Sequence, residues 1–170
     1  MAAIRTCELP DGALLSRYSG SGAYADCYVA EIAGAVSHAE YVEAFYTSPV
    51  FKLERFILRL LVFRPSTDAQ ARQLARGELD AFAAWSVEGR APNQLLLCDF
   101  TGSTRSWLMV AGAGSGESAS TRLFFGSAVV PARSSTSGRR NFGLLFRALL
   151  GFHKLYSRTL LGAAQWRLSR

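Results

Sequence analysis

The feature that most constrains this chain is its last third, where strand-like segments give way to one long amphipathic helix, Phe142 to Leu168, with a narrow, basic polar face. At about 100° per residue, Arg147, Lys154, Arg158 and Gln165 gather into a single stripe and leave most of the circumference apolar. Phe142, Leu145, Leu149, Phe152, Tyr156, Leu160 and Ala163 lie opposite that stripe. A helix this apolar must be covered over most of its surface, and the preceding strands are the available cover. The pattern predicts a sheet gripping a helix around an apolar interior. His153 shares the apolar face, where an imidazole costs free energy unless it is hydrogen-bonded. It reads either as a core histidine satisfied by a neighbour or as a polar contact inside a ligand cavity, with Tyr156 one turn on as a second hydrogen-bonding group.

The earlier chain divides by its periodicity. Tyr24 to Ile32 has the β-branched and aromatic content of a strand and follows the Gly- and Ser-rich stretch Ser19 to Gly22. Ser37-His38-Ala39-Glu40 forms a capping box that starts a helix running to about Tyr46, with His38 expected to face solvent in its first turn. Ser48-Pro49 starts a second helix, in which Phe51, Leu53, Phe56, Ile57, Leu60 and Leu61 recur at helical spacing until Arg64-Pro65. Ser66-Thr67-Asp68 caps a shorter helix that Gly77 ends. From Leu79 the period changes. Phe82 to Glu88, Gln94 to Phe100, Thr104 to Ala111 and Thr121 to Val130 read as strands of a meander, with Gly112 to Ser120 as its longest connection. The glycines of that connection lead into a strand rather than a helix, which excludes a phosphate cradle.

At 170 residues the chain suits a single domain, residues 1–170, with 1–20 as an N-terminal extension and 142–168 as the C-terminal helix. Met1 to Gly12 carries Arg5, Glu8 and Asp11 rather than the apolar run of a secretory signal, so a cytoplasmic protein is expected. Cys7, Cys27 and Cys98 are odd in number and widely spaced, which predicts neither a disulfide framework nor a zinc site. The apolar runs Phe56 to Phe63 and Phe142 to Phe152 are interrupted by Arg59 and Arg147, short of the roughly 18 apolar residues a membrane span needs. The net charge of +6 is unevenly placed. After Glu117 there are nine basic residues and no acidic one, against ten basic and thirteen acidic up to and including it. This asymmetry fits a solvated surface, a nucleic acid, an acidic ligand or an anionic membrane surface, with peripheral association as the location that the last implies. Sparse basic residues on the helix and the lack of a recognised binding module argue against nucleic acid.

The order of strand, helices, antiparallel meander and long last helix resembles the helix-grip fold of the START and polyketide-cyclase (SRPBCC) superfamily. More narrowly, four features resemble an uncharacterised bacterial domain family associated with that superfamily. These are Tyr24-Ala25-Asp26 opening a strand, the helical stretch through Phe45, Pro49 and Arg59, the Trp107-Leu108 strand, and Phe152-His153 in the last helix. The resemblance implies an α+β fold, a curved antiparallel sheet wrapped around the C-terminal helix, with a hydrophobic cavity between them. It brings no established active-site residues. Five segments read as strands, fewer than the superfamily has, so Met1 to Arg17 or Ala69 to Asp80 hides another, or the sheet is reduced.

The site expected from this reading combines His153, Tyr156, Phe152 and Leu149 of the last helix with Trp107, Trp85, Tyr28, Asp26 and Arg105 of the sheet. Core packing is the default for Trp85 and Trp107. Asp26, and Asp99 with Arg105 across a hairpin, read as structural charges or ligand-orienting groups. No motif calls for a cofactor or a metal, and no nucleophile elbow is present. The favoured function is noncatalytic binding of a hydrophobic small molecule such as a lipid, isoprenoid, quinone or polyketide-like compound. The alternatives are a cyclase, dehydratase or isomerase, in which His153 acts as general acid or base and Tyr156 polarises a carbonyl, and a membrane-surface or protein-interaction module using the basic C-terminal region.

Overall fold

A computed structural model describes residues 3–19, 23–61, 63, 65–113, 119–130 and 142–170, with the backbone alone at 57–61 and 142–154. The fold is α+β, with a seven-stranded antiparallel sheet and four α-helices. The strands are β1 (Arg5–Thr6), β2 (Tyr24–Ala33), β3 (Ala81–Phe82), β4 (Trp85–Ala91), β5 (Gln94–Asp99), β6 (Thr104–Ala113) and β7 (Ser120–Val129). Their order across the sheet is β1-β2-β7-β6-β5-β4-β3. The helices are α1 (His38–Tyr46), α2 (Pro49–Leu61), α3 (Asp68–Ala75) and α4 (Phe142–Leu168), and a 3-10 helix spans Leu14–Tyr18.

Local chemistry explains the helix starts. The Ser37 hydroxyl accepts from the Glu40 amide while the Glu40 carboxylate accepts from the Ser37 amide, and Thr67 and Gln70 repeat the arrangement at α3. Ser48 Oγ accepts from the Phe51 amide at 3.2 Å, and Pro49 fills the first helical position. Gly77 follows α3 at φ +79°, a left-handed conformation that glycine takes without strain.

Two strands were not among the five expected. β1 lies within Met1 to Arg17 and pairs with the start of the sheet through Arg5 opposite Val29 and Thr6 opposite Tyr28. The expected strand from Phe82 to Glu88 is broken into β3 and β4 where Ala83 adopts φ +53°, so that Ala81 and Phe82 fold back on Trp85 and Ser86. Residues 3–19, expected as an extension, thus supply an edge strand and the 3-10 helix, whose Leu15 is fully buried. The middle of the Gly112 to Ser120 connection, residues 114–118, lies outside the described residues, as does the basic segment 131–141.

Because strand side chains alternate between faces, each central strand contributes to two cores. Tyr28, Ala30 and Ile32 of β2, Leu108 and Val110 of β6, and Leu123 and Phe125 of β7 point towards the helices. Tyr41, Phe45, Tyr46, Phe51, Leu160, Leu161 and Ala164 pack on them. Cys27, Val29, Trp107, Met109 and Phe124 point the other way and are covered by Ala13, Leu15 and their N-terminal neighbours. Cys7 stands opposite Cys27 across the β1–β2 edge, the two free thiols 3.2 Å apart.

Gln94 fastens the N-terminal cover. Its Oε1 accepts from the Leu14 amide at 2.8 Å and from the Trp107 indole at 2.9 Å, and its Nε2 donates to the Gly12 carbonyl. Opposite Trp107 in register is Gly126. A Cβ at Gly126 would stand 2.7 Å from Leu15 Cδ2 and 2.9 Å from Trp107 Cε3, so the indole lies over bare backbone. Gly126→Ala is therefore expected to destabilise the protein by about 1–3 kcal/mol through overpacking. Chemical denaturation checks this, and unchanged stability would contradict the packing described.

Candidate functional site

Helix α2 packs chiefly on α4 and α1. A cavity of about 530 Å³ remains between α2, the middle of α4 and the helix-facing side of the sheet. Its walls are Phe45 of α1, Val50, Phe51, Leu53 and Glu54 of α2, Ala84 and Trp85 at the β3–β4 break, Asp99 and Phe100 after β5, Thr104, Arg105 and Ser106 of β6, Phe125 and Ser127 of β7, and Tyr156, Ser157 and Leu160 of α4. The surface is overwhelmingly apolar, and the volume falls within the roughly 300–1,000 Å³ range of small-molecule sites. Leu53 and Phe100, both more than half exposed, mark the rim.

Glu54 is the distinctive polar group. The Tyr156 hydroxyl donates to its carboxylate. The Trp85 indole N–H approaches closely enough to favour the charged form but makes no full hydrogen bond. Burial outweighs both donors and raises the Glu54 pKa above its ordinary 4.5. Burial, reinforced by the Glu54 charge, also raises the Tyr156 pKa, which keeps the phenol protonated. The Ser157 hydroxyl, on a residue with 1% exposure, has no hydrogen-bond partner among the described residues.

The described basic residues around Glu54 are committed elsewhere. Arg55, the next residue, is 9% exposed and donates to Ser66 Oγ at 2.9 Å, to the Ser66 carbonyl and to Asp68. Lys52 pairs with Asp68 at 2.7 Å. Arg105 borders the cavity, but its Nε donates to Glu88 and to the Tyr18 hydroxyl, both at 3.0 Å. The Arg105 guanidinium also lies over the Tyr18 ring, 4.8 Å from its centroid.

The expected site residues separate accordingly. Tyr156, Trp85 and Arg105 line the cavity, the last with its guanidinium turned to Glu88 and Tyr18. Trp107 does not, because its register position directs it to the opposite face, where it packs on Phe124 and Leu15 and donates to Gln94. Tyr28 points to the helix side and is buried in the core, its hydroxyl 3.3 Å from Asp26. Asp26 accepts from Ser127, which lines the cavity, so it reaches the site only through that serine. The expected pairing of Asp99 with Arg105 gives way to a different one. Asp99 Oδ1 accepts from the Ser103 and Thr104 amides, and Arg105 turns to Glu88. The side chains of His153, Phe152 and Leu149 lie outside the described residues.

Two further side chains, Gln165 and His38, differ from the sequence pattern, while Arg158 keeps its exposed place in the stripe. Gln165, placed in the polar stripe of the last helix, is buried and donates to the Glu31 carbonyl at 3.1 Å. Arg158 donates to the Ile4 carbonyl and so reaches the N-terminal segment. His38 does not face solvent. Burial, aided by Arg90 and opposed by the Leu108 backbone, depresses its pKa from 6.5 to about 4. Glu54, which the pattern did not single out, sits between Leu53 and Arg55 in the second helix. Its only sequence cue is a carboxylate among the apolar positions of α2.

Among the described residues, no three His, Cys, Asp or Glu side chains gather as a metal site would, and no helix is long and apolar enough to cross a membrane. No protein-family model matches the chain, and no curated protein sequence matches it.

The two displaced pKa values act on stability with opposite signs. Glu54, raised in the fold, makes the folded protein hold more protons than the unfolded chain from pH 4.5 upward, so its contribution falls as pH rises. His38, depressed in the fold, contributes fully above pH 6.5, and that contribution is lost as pH falls towards 4. Glu54→Gln keeps an acceptor for Tyr156 and removes the charge. Its melting temperature, compared with the parent across pH 4.5–8, should rise progressively above the parent's, since the His38 contribution cancels in the difference. A gap that shrinks towards pH 8 would contradict the buried-carboxylate assignment.

Proposed function

We propose that this chain is a binding protein for an apolar small molecule, held between the sheet, α2 and the C-terminal helix in a fold of the helix-grip kind. The observation that carries the reading is the cavity itself, whose volume and apolar walls suit a ligand of that class and whose exposed Leu53 and Phe100 give it an entrance. Burying apolar ligand surface contributes roughly 25 cal/mol per Å² removed from water, and the few polar groups on the walls orient the molecule. The resemblance to the START and polyketide-cyclase superfamily agrees with this function without adding residues to the site.

The test uses the neutral probe N-phenyl-1-naphthylamine, whose fluorescence rises in apolar surroundings. It should bind the parent with saturable enhancement. Ala84→Phe, which fills the cavity from the β3–β4 break, should weaken binding at least tenfold. Trp107→Phe, on the opposite face of the sheet, should leave probe affinity within a factor of two. Circular dichroism confirms that both variants are folded. Equal binding by the parent and Ala84→Phe, with both folded, would place the apolar site elsewhere and end this reading.

A further inference from the structure

The polar chemistry of the cavity narrows the ligand class. Glu54 offers a carboxylate to an apolar space, and none of the described cations answers it. Arg55 and Lys52 are taken up by Asp68, and Arg105 by Glu88. The second acidic side chain on the wall, Asp99, already accepts from the Ser103 and Thr104 amides and the Thr101 hydroxyl, so it serves the hairpin. Beside the carboxylate, the Tyr156 hydroxyl donates to it and the Trp85 N–H lies near enough to favour its charge without a full hydrogen bond. They prepare its charged form, while burial opposes that form. A buried carboxylate with donors beside it and no cation among the described residues is half of an ion pair.

The rest of the wall suits the missing half. Phe45, Phe51, Phe100 and Phe125 join Trp85 and Tyr156 on the cavity surface, and aromatic faces attract organic cations by roughly 0.5–2 kcal/mol. The Ser157 hydroxyl, buried and without a partner among the described residues, supplies a further acceptor. An anionic ligand would meet the Glu54 carboxylate with every nearby described cation engaged. A neutral ligand would fill the apolar space but leave the carboxylate without a counter-charge.

We propose that the cavity selects an apolar molecule bearing a protonated amine, with the ammonium paired to Glu54 and the hydrocarbon body against the aromatic wall. This rests on the binding-protein reading above and specifies its ligand. Proton balance follows directly. An ammonium entering a site whose glutamic acid is protonated displaces that proton to solvent, so one proton is released per ligand bound. Amine affinity therefore rises about tenfold per pH unit below the Glu54 titration and levels off above it.

The experiment compares three probes with one ten-carbon chain, decylamine, decanol and decanoate, by calorimetry or by displacement of N-phenyl-1-naphthylamine at pH 5–8. At pH 8 the amine should bind at least tenfold tighter than the alcohol, and the alcohol tighter than the carboxylate. Amine affinity should rise with pH while alcohol affinity stays flat. Glu54→Gln should lose the amine preference and keep the alcohol affinity, which separates a lost ion pair from a lost cavity. Decanoate binding as tightly as decylamine, or an amine preference that survives in Glu54→Gln, overturns the amine assignment and leaves the apolar site standing. If none of the three binds, the cavity reading falls, and the ligand class with it.

Discussion

Both faces of the central sheet are apolar, and the pleat gives every residue of β2, β6 and β7 to one face or the other. Neither face can be left to water. The helices cover the side bearing Tyr28, Leu108 and Phe125, and the N-terminal segment covers the side bearing Trp107 and Phe124. This double requirement explains why Gln94 spends its side-chain amide on Leu14, Gly12 and Trp107, and why the centre of β7 carries Gly126 where the indole and Leu15 converge. It also decides which residues can reach a ligand, since a one-residue change in position along a strand moves a side chain through the sheet.

On the helix side the sheet is closely packed beneath α1 and the last turns of α4, but not beneath α2. Phe51 turns inward from that helix, and Arg55 ties it to the loop before α3. The space that remains is apolar except where Glu54 and Tyr156 meet across α2 and α4. A carboxylate there costs desolvation free energy, which two neighbouring donors only partly offset. A site that carries such a cost in the fold is a reasonable place to look for what relieves it.

Much of the architecture was legible in the sequence because it is written in local chemistry. The capping box at Ser37, the cap at Ser66-Thr67-Asp68, Pro49, and the apolar runs of β5, β6 and β7 between turn residues locate their elements closely. What escaped was set by tertiary structure. β1 is too short for alternation to register, and the β3–β4 break falls at Ala83 without a glycine or proline to announce it. The site was legible only in part. Tyr156 and Trp85 fell on apolar patterns that do line the cavity, and Arg105 borders it, whereas Trp107 could not be assigned to a face without the register. Glu54 and Gln165 were hidden for one shared reason. A polar residue on a helix reads as solvated until a second element is packed against it.

The central claim is that the space between α2, α4 and the sheet exists to hold an apolar molecule. The most direct measurement is native mass spectrometry of the protein purified from its own host, followed by extraction and identification of whatever small molecule is retained. The account predicts a stoichiometric apolar passenger, released on unfolding and absent from Ala84→Phe. A passenger retained equally by the folded Ala84→Phe protein would contradict it, because the molecule would then be bound somewhere other than this cavity.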